Sequence, residues 1–405
     1  MHICFMGRSV LEHGAGAGGM EVHGSVLTRA LAAGGDRVTL VTTAHPRGLA
    51  QEESGGTRIL YLPGTTTGQY GGGYFEASVA CLLALHAREP VDVVVGQSAG
   101  ARGYVASPAR EQLGIPCASI FHGLMSWEYF SSWASARGLL ARLKVIARAP
   151  RVVRELCRGD RSFLAMDALI AVSRELALAM RSQYRPAADR VHCVLNGVDT
   201  DRFRPDVPAG AELRGRLGIP DAEVVFLMAG RLLWEKGFHV GLEALARLAS
   251  SGRPVHALIA GSGPAEPELR ELARPLSARG LAHFLGHVAS EEIARCYSAC
   301  DVFLLPTLRW EGLPLAVAEA LACGKPVIAT RRGGVGSALV DGVTGRLIEP
   351  GDASGLVRAM DELAADAELR ARMGIAARAD AVARLSRDRM VAETRAILAG
   401  LAGAR

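Results

Sequence analysis

A chain of 405 residues that is 49% hydrophobic and 21% charged is too long for one ordinary domain and too apolar to be disordered, and two α/β domains of about 200 residues each are expected. Its apolar runs stop short of the ~18 residues of a membrane-spanning helix, and Met1 leads into a strand without a signal-peptide pattern, so a cytoplasmic protein, at most peripheral to the inner face of the cell membrane, is expected. The net charge of +5 is concentrated between Arg137 and Arg161, where eight basic and two acidic residues give a local +6, and no nucleic-acid partner is expected.

In chain order, the first half alternates strands and helices. Strand His2–Met6 is followed by a glycine-rich loop and helix Met20–Ala33, then strands Val38–Thr42 and Arg58–Leu62, helix Phe75–His86, and strands Val91–Val95 and Cys117–Phe121. Strands Ala168–Val172 and Val191–Leu195 come after the basic segment. Such alternation implies a doubly wound parallel sheet. Within the basic segment Leu139, Leu140, Leu143, Ile146 and Ala147 fall on one helical face, with most of the basic residues on the other. Two readings stand: a helix lying on an anionic membrane, or one docked on its own domain with a solvated basic face. The Pro-rich stretch 202–210 reads as a linker. A second alternating run follows: strand Val224–Ala229, helix 237–249, strand Val255–Ala260, helix 265–273, strand His283–Leu285, helix 290–299, and a helical tail after residue 330.

The most informative stretch is Asp301–Thr330. Buried strands Val302–Leu305 and Pro326–Ala329 enclose a helix, making a β-α-β unit. Pro314 suits the first helical turn, leaving the amides around Gly312 and Leu313 and those of that turn directed at an anion. Glu311 stands just before this helix and Glu319 eight residues later, inside it. Arg231 and Lys236 follow strand 224–229 and together suit a diphosphate. Gly261-Ser262-Gly263 follows the next strand and could approach a nucleotide. His122 ends strand 117–121, where open parallel sheets bind ligands. Gly14, Gly16 and Gly19 formally spell G-x-G-x-x-G, but their strand ends near Gly7, and the second strand ends in Thr42, Thr43 and Ala44 without a carboxylate for a ribose; a dinucleotide site is set aside. The loop's amides, Gly18 and Gly19 among them, can instead face a phosphate or sugar. Asp199-Thr-Asp201 lies in a turn and reads as structural, and no metal site is expected. Eight cysteines, without a C-x-x-C pair, read as buried free thiols.

The stretch 311–330, EGLPLAVAEALACGKPVIAT, resembles the signature of glycosyltransferase family 4. Gly230-Arg231-Leu232 with Glu235-Lys236-Gly237, Asn196-Gly197-Val198-Asp199, Ala171-Val172-Ser173 and Asp341-Gly342-Val343-Thr344-Gly345 stand in the family's order and spacing. The resemblance implies the GT-B fold: two Rossmann-like doubly wound domains facing across a cleft, 1–205 for the acceptor and 206–380 for the nucleotide sugar, with the terminal helix 381–405 packing back on the first. It further implies retention at the anomeric carbon, His122 bonding the transferred sugar, and a Gly-Gly pair at 18–19 beside donor and acceptor. Gly261 and the helix-start cradle of Gly312, Leu313 and Pro314 are expected to line the donor. Gly-Leu-Pro after Glu311, and Gly333-Gly334-Val335-Gly336-Ser337 without a carboxylate, depart from the family pattern.

The expected function is transfer of a sugar from a UDP- or GDP-sugar to a small-molecule, lipid-linked or glycan acceptor, with no cofactor beyond that co-substrate and no metal. Arg231, Lys236 and the helix amides would stabilise the departing diphosphate. Glu311 would orient the sugar, and Glu319 would hold ribose hydroxyls. An epimerase or phosphorylase of the same fold, or an inactive membrane-associated partner subunit, are the alternatives.

Overall fold

In the computed structural model, which describes residues 1–13, 18–158 and 161–403, the chain divides into two units. One comprises Met1–Leu124, Pro150–Gly197 and Arg387–Arg405; the other comprises Met125–Ala149 and Val198–Ser386.

Short runs such as HICFM, CASIF and ALIA are apolar without alternation and are buried throughout, as strands covered on both faces must be. In the first unit β1 (His2–Met6), β2 (Arg37–Thr43), β3 (Gln51–Ser54), β4 (Thr57–Leu62), β5 (Val93–Gln97), β6 (Cys117–Phe121), β7 (Ala168–Ala171) and β8 (Val191–Cys193) form one sheet in the order β3-β4-β2-β1-β5-β6-β7-β8. Every pair is parallel except β3 with β4. That hairpin turns through Gly55 and Gly56, both at positive φ (56° and 77°), as a two-residue hairpin turn requires. The polar sequence of β3, QEES, suits an edge strand and carries no alternation to announce it. The strand order reverses between β1 and β5, so their carboxyl ends flank a switch point where ligands of open sheets bind.

The second unit repeats the scheme with β9 (Val224–Ala229), β10 (Val255–Ala260), β11 (Ala282–Gly286), β12 (Val302–Leu305), β13 (Val327–Thr330) and β14 (Gly345–Ile348), all parallel, in the order β11-β10-β9-β12-β13-β14. Its switch point lies between β9 and β12. Phe226, Leu242, Leu245, Ile259, Leu304 and Met360 join one core cluster, and burying each aliphatic or aromatic side chain of this size contributes roughly 1.5–3 kcal/mol.

A first domain running unbroken to residue 205 differs from this division. Helix Met125–Ser135 belongs to the second unit because Trp127 packs on Trp310 (5.5 Å between ring centres), Ser131 Oγ accepts from the Trp310 amide at 2.9 Å, and the Arg137 guanidinium sits 4.1 Å over the Trp234 ring while pairing with Glu268. The returning segment starts at 387, not 381, and helix Ala367–Arg384 stays with the second unit. Helix Arg387–Gly403 anchors to the first through Arg395, whose guanidinium donates to Asp36 at 2.7 and 3.2 Å, and through buried Met390, Thr394 and Leu398. The seven described cysteines are unbridged; burial pushes the thiols up, that of Cys296 to about 11. The side chain of Cys157 lies outside the described residues. Among those residues no helix is long and apolar enough to cross a membrane.

Candidate active site

The second unit's site grows from two loops that leave the switch point. After β9 the chain runs through Gly230, Arg231 and Leu232 into a short turn, Trp234–Lys236, and closes at Gly237. Gly237 has φ +74°, and a Cβ there would fall 1.8 Å from the Pro306 carbonyl oxygen, so only glycine lets this loop reach the loop that follows β12. The approach carries Lys236 Nζ to 2.7 Å from Glu311 Oε1. Thr307, buried, holds its hydroxyl 3.2 Å from the same oxygen and accepts from the Arg309 amide at 3.0 Å. Glu235 ties the loops a second time: its carbonyl accepts from the Leu308 and Arg309 amides, and its carboxylate pairs with Arg309. A buried carboxylate needs such partners. On its other side the Glu311 carbonyl accepts from Gly334 N at 2.8 Å, and a Cβ on Gly333 (φ +55°) would stand 2.2 Å from that oxygen. Glycine at 333 therefore answers to backbone packing.

Helix Leu315–Ala322 starts directly after this carboxylate. Pro314 stands at its cap position (φ −70°, ψ 116°), not in the first turn as expected, because its carbonyl is what the Val317 and Ala318 amides reach. Gly312 and buried Leu313 lead into the cap, and the amides of Leu315 and Ala316 precede the helix's internal ladder, giving an anion-favouring end. Glu319 lies inside the helix. The buried Tyr297 hydroxyl donates to its Oε2 at 2.8 Å, and burial raises its pKa, opposed by that hydrogen bond and by the Arg202 charge. Its other oxygen has no partner among the described residues. Arg231 is exposed, its guanidinium unpartnered among the described residues. Gly261 has φ +140°, and a Cβ would lie 1.9 Å from the Gly230 carbonyl oxygen; that contact alone demands glycine. Asp199 Oδ1 accepts from the Asp201 and Arg202 amides at 3.1 Å each, so the D-x-D carboxylate closes a turn.

The first unit's switch point is built differently. His122 follows β6 and meets His23 edge-on, ring centres 4.7 Å apart. Burial lowers the His23 pKa to about 4, and burial together with His23 holds His122 well below the ordinary histidine range. Both imidazoles are neutral at pH 7, with His23 Nδ1 and His122 Nε2 buried and unpartnered among the described residues. Gln97, buried at the end of β5, donates to the Met20 carbonyl at 2.5 Å. Ser98 has φ +53°, alone among the described non-glycine residues in that region; Ser119 Oγ donates to its carbonyl at 2.6 Å. Strain of this kind collects at functional sites. Gly18 caps helix Gly19–Ala33, and its amide donates to Glu21 Oε2 at 2.9 Å, so the cap amide already meets a carboxylate. Gly14 and Gly16 lie outside the described residues. Sequence reasoning missed His23, Gln97, Ser98, Tyr297 and Thr307, none of which sits in a motif.

A family described as "Glycosyltransferase Family 4" matches residues 17–202, and one described as "Glycosyl transferases group 1" matches 211–380. A D-inositol 3-phosphate glycosyltransferase of Xylanimonas cellulosilytica is 32% identical over 90% of this chain and 87% of its own length. A GDP-mannose-dependent alpha-(1-6)-phosphatidylinositol monomannoside mannosyltransferase of Mycolicibacterium smegmatis is 34% identical over 52% of this chain and 56% of its own. In fold, HepE of Anabaena, solved in complex with UDP, superposes with a TM-score of 0.74 at 20% identity over 99% of this chain and 100% of that one. The chain belongs to glycosyltransferase family 4, and it is a glycosyltransferase of the GT-B fold.

Proposed function

We propose that the enzyme moves a hexosyl group from a UDP- or GDP-sugar to an acceptor hydroxyl, with retention at the anomeric carbon and without a divalent metal. The observation that carries this reading is the contact of Lys236 with Glu311 at the start of helix Leu315–Ala322, with exposed Arg231 in the loop that delivers Lys236. As the glycosyl–phosphate bond breaks, its electron pair goes to the departing diphosphate and positive charge grows on the sugar. Lys236, Arg231 and the first-turn amides meet the diphosphate charge, which is the task a metal performs elsewhere. Glu311, held by Lys236 and Thr307, faces and orients the sugar. Glu319, with one oxygen fixed by Tyr297, offers the other to ribose hydroxyls. His122, a neutral imidazole, hydrogen-bonds the transferred sugar.

The donor class is supported by the nucleotides in the relatives' names, GDP-mannose in one and UDP in the other. The named acceptors of the two sequence relatives share an inositol ring, so a polyhydroxylated acceptor of that kind is the first to try. The test is turnover of UDP-glucose and GDP-mannose with inositol phosphate, with and without EDTA, and the anomeric configuration of the product by NMR. Activity that survives EDTA and a retained anomer are expected. Loss in EDTA restored by manganese, or an inverted product, overturns the mechanism; donor isomerised without acceptor identifies an epimerase instead.

A further inference from the structure

Large apolar side chains are exposed singly at scattered places, such as Leu178, Val207 and Ile375, and need no explanation. Helix Leu139–Ile146 in the second unit is different. Leu139, Leu140, Leu143 and Ile146 are 75%, 77%, 50% and 49% exposed, while Val145 is the buried residue of the helix. Of the two readings of this helix, the one that seats its apolar stripe on its own domain does not fit, because the stripe is exposed. The helix just before it adds Phe130 and Trp133, both also exposed. Beside the stripe along the same segment stand Arg142, Lys144 and Arg148, all exposed, none meeting an acid among the described residues. No aspartate or glutamate occurs between Glu128 and Glu155. An apolar face of this size without cover marks an interaction surface.

We propose that this helix docks on an anionic lipid bilayer, its leucines and isoleucine entering the headgroup boundary and its basic side chains meeting lipid phosphates. Charge decides the occupant. A two-fold contact between copies would bring Arg142, Lys144 and Arg148 of one copy towards the same three of the other, a juxtaposition that opposes association. A surface of fixed negative charge meets the same residues favourably and accepts the apolar stripe as well. An eight-residue amphipathic helix is too short to span a bilayer and attaches at its interface.

The test is co-sedimentation of the full chain with vesicles of phosphatidylcholine alone or mixed equally with phosphatidylglycerol, beside sedimentation velocity without lipid. Wild type is expected to pellet with the mixed vesicles only and to be released as salt is raised towards ~1 M, where screening reaches about 3 Å. Arg142→Glu/Lys144→Glu/Arg148→Glu should lower binding by roughly fivefold or more per charge reversed. Leu139→Ser/Leu140→Ser/Leu143→Ser/Ile146→Ser should abolish it while leaving turnover of a soluble acceptor unchanged. Equal pelleting with neutral vesicles overturns the proposal, as does wild-type binding retained by both variants. Wild type that is dimeric without lipid, with the serine variant monomeric, assigns the face to a second copy and also overturns it.

Discussion

At the switch point of the second sheet a lysine meets a buried carboxylate at 2.7 Å, and the same loop carries an arginine with no partner among the described residues. At the switch point of the first sheet stand two neutral imidazoles, a primary amide and hydroxyls, and the carboxylate of Glu21 there is taken up by the Gly18 amide at the helix cap. The two units share one architecture, so the difference lies in what the loops carry. A diphosphate brings charge, and fixed cations answer it without reorganising. A transferred sugar brings only hydroxyls, and neutral donors and acceptors read their directions without requiring a buried counter-charge. The contrast is sharp enough to be broken.

The largest effect is expected at the charged end. Lys236→Ala should lower kcat by roughly a hundred- to a thousandfold, about 3–4 kcal/mol, and lower Tm as well, because Glu311 is then left buried without its cation. Adding Glu311→Ala should cost less than the two single losses combined. Fully additive losses in kinetics and melting would show that the contact does not join the two residues into one unit.

The second prediction concerns acid. Burial lowers the His23 pKa to about 4, so the unfolded chain binds the proton first as pH falls. The stability linked to this group is therefore complete above ~6.5 and is withdrawn between there and ~4, by roughly 3 kcal/mol in all. Thermal melts of wild type and His23→Asn across that range should converge at low pH, and parallel curves would contradict the buried neutral imidazole.

A smaller effect is expected at His122. His122→Ala should lower turnover by about ten- to a hundredfold, the range of one lost hydrogen bond to a buried group, with nucleoside diphosphate affinity unchanged by calorimetry. If affinity falls and turnover at saturation survives, the neutral end handles the nucleotide. The smallest change is Glu319→Gln, which should weaken nucleoside diphosphate binding by about tenfold, or ~1.4 kcal/mol, and leave kcat alone; a kcat defect would place Glu319 with the sugar.

How legible this was depended on the source of each feature. Strands Val224–Ala229, Val255–Ala260 and Cys117–Phe121 have the bounds that their apolar runs announce. β5 runs two residues later than its valines suggest, because pairing with β1 and β6 continues through Gly96 and Gln97. β3 and β14 were missed: QEES and GRLI are polar or half-exposed edge strands without a readable period. At the site, local spacing pointed to Lys236 and Glu311, but nothing in the chain says that they touch; that follows from Gly237 pressing on Pro306. Gly261 reads as a ligand glycine and Gly333 as part of a loop that departs from the family pattern; what the sequence does not announce is that both press on backbone carbonyls, those of Gly230 and Glu311. Tyr297, His23 and the Trp127–Trp310 contact are products of tertiary packing alone.

The return of helix Arg387–Gly403 to the first unit sets the order of synthesis against the order of completion. On a ribosome the strands of the first sheet emerge early, yet Asp36 waits for Arg395, and the Gly197 amide, which donates to Met390 Sδ at 3.1 Å, waits for a residue 193 positions later. The second unit, whose segments end at Ser386, has all of its chain first. Nascent chains stalled before residue 387 should then carry a protease-resistant second unit beside a first that is still open, reversing the usual N-terminal-first sequence.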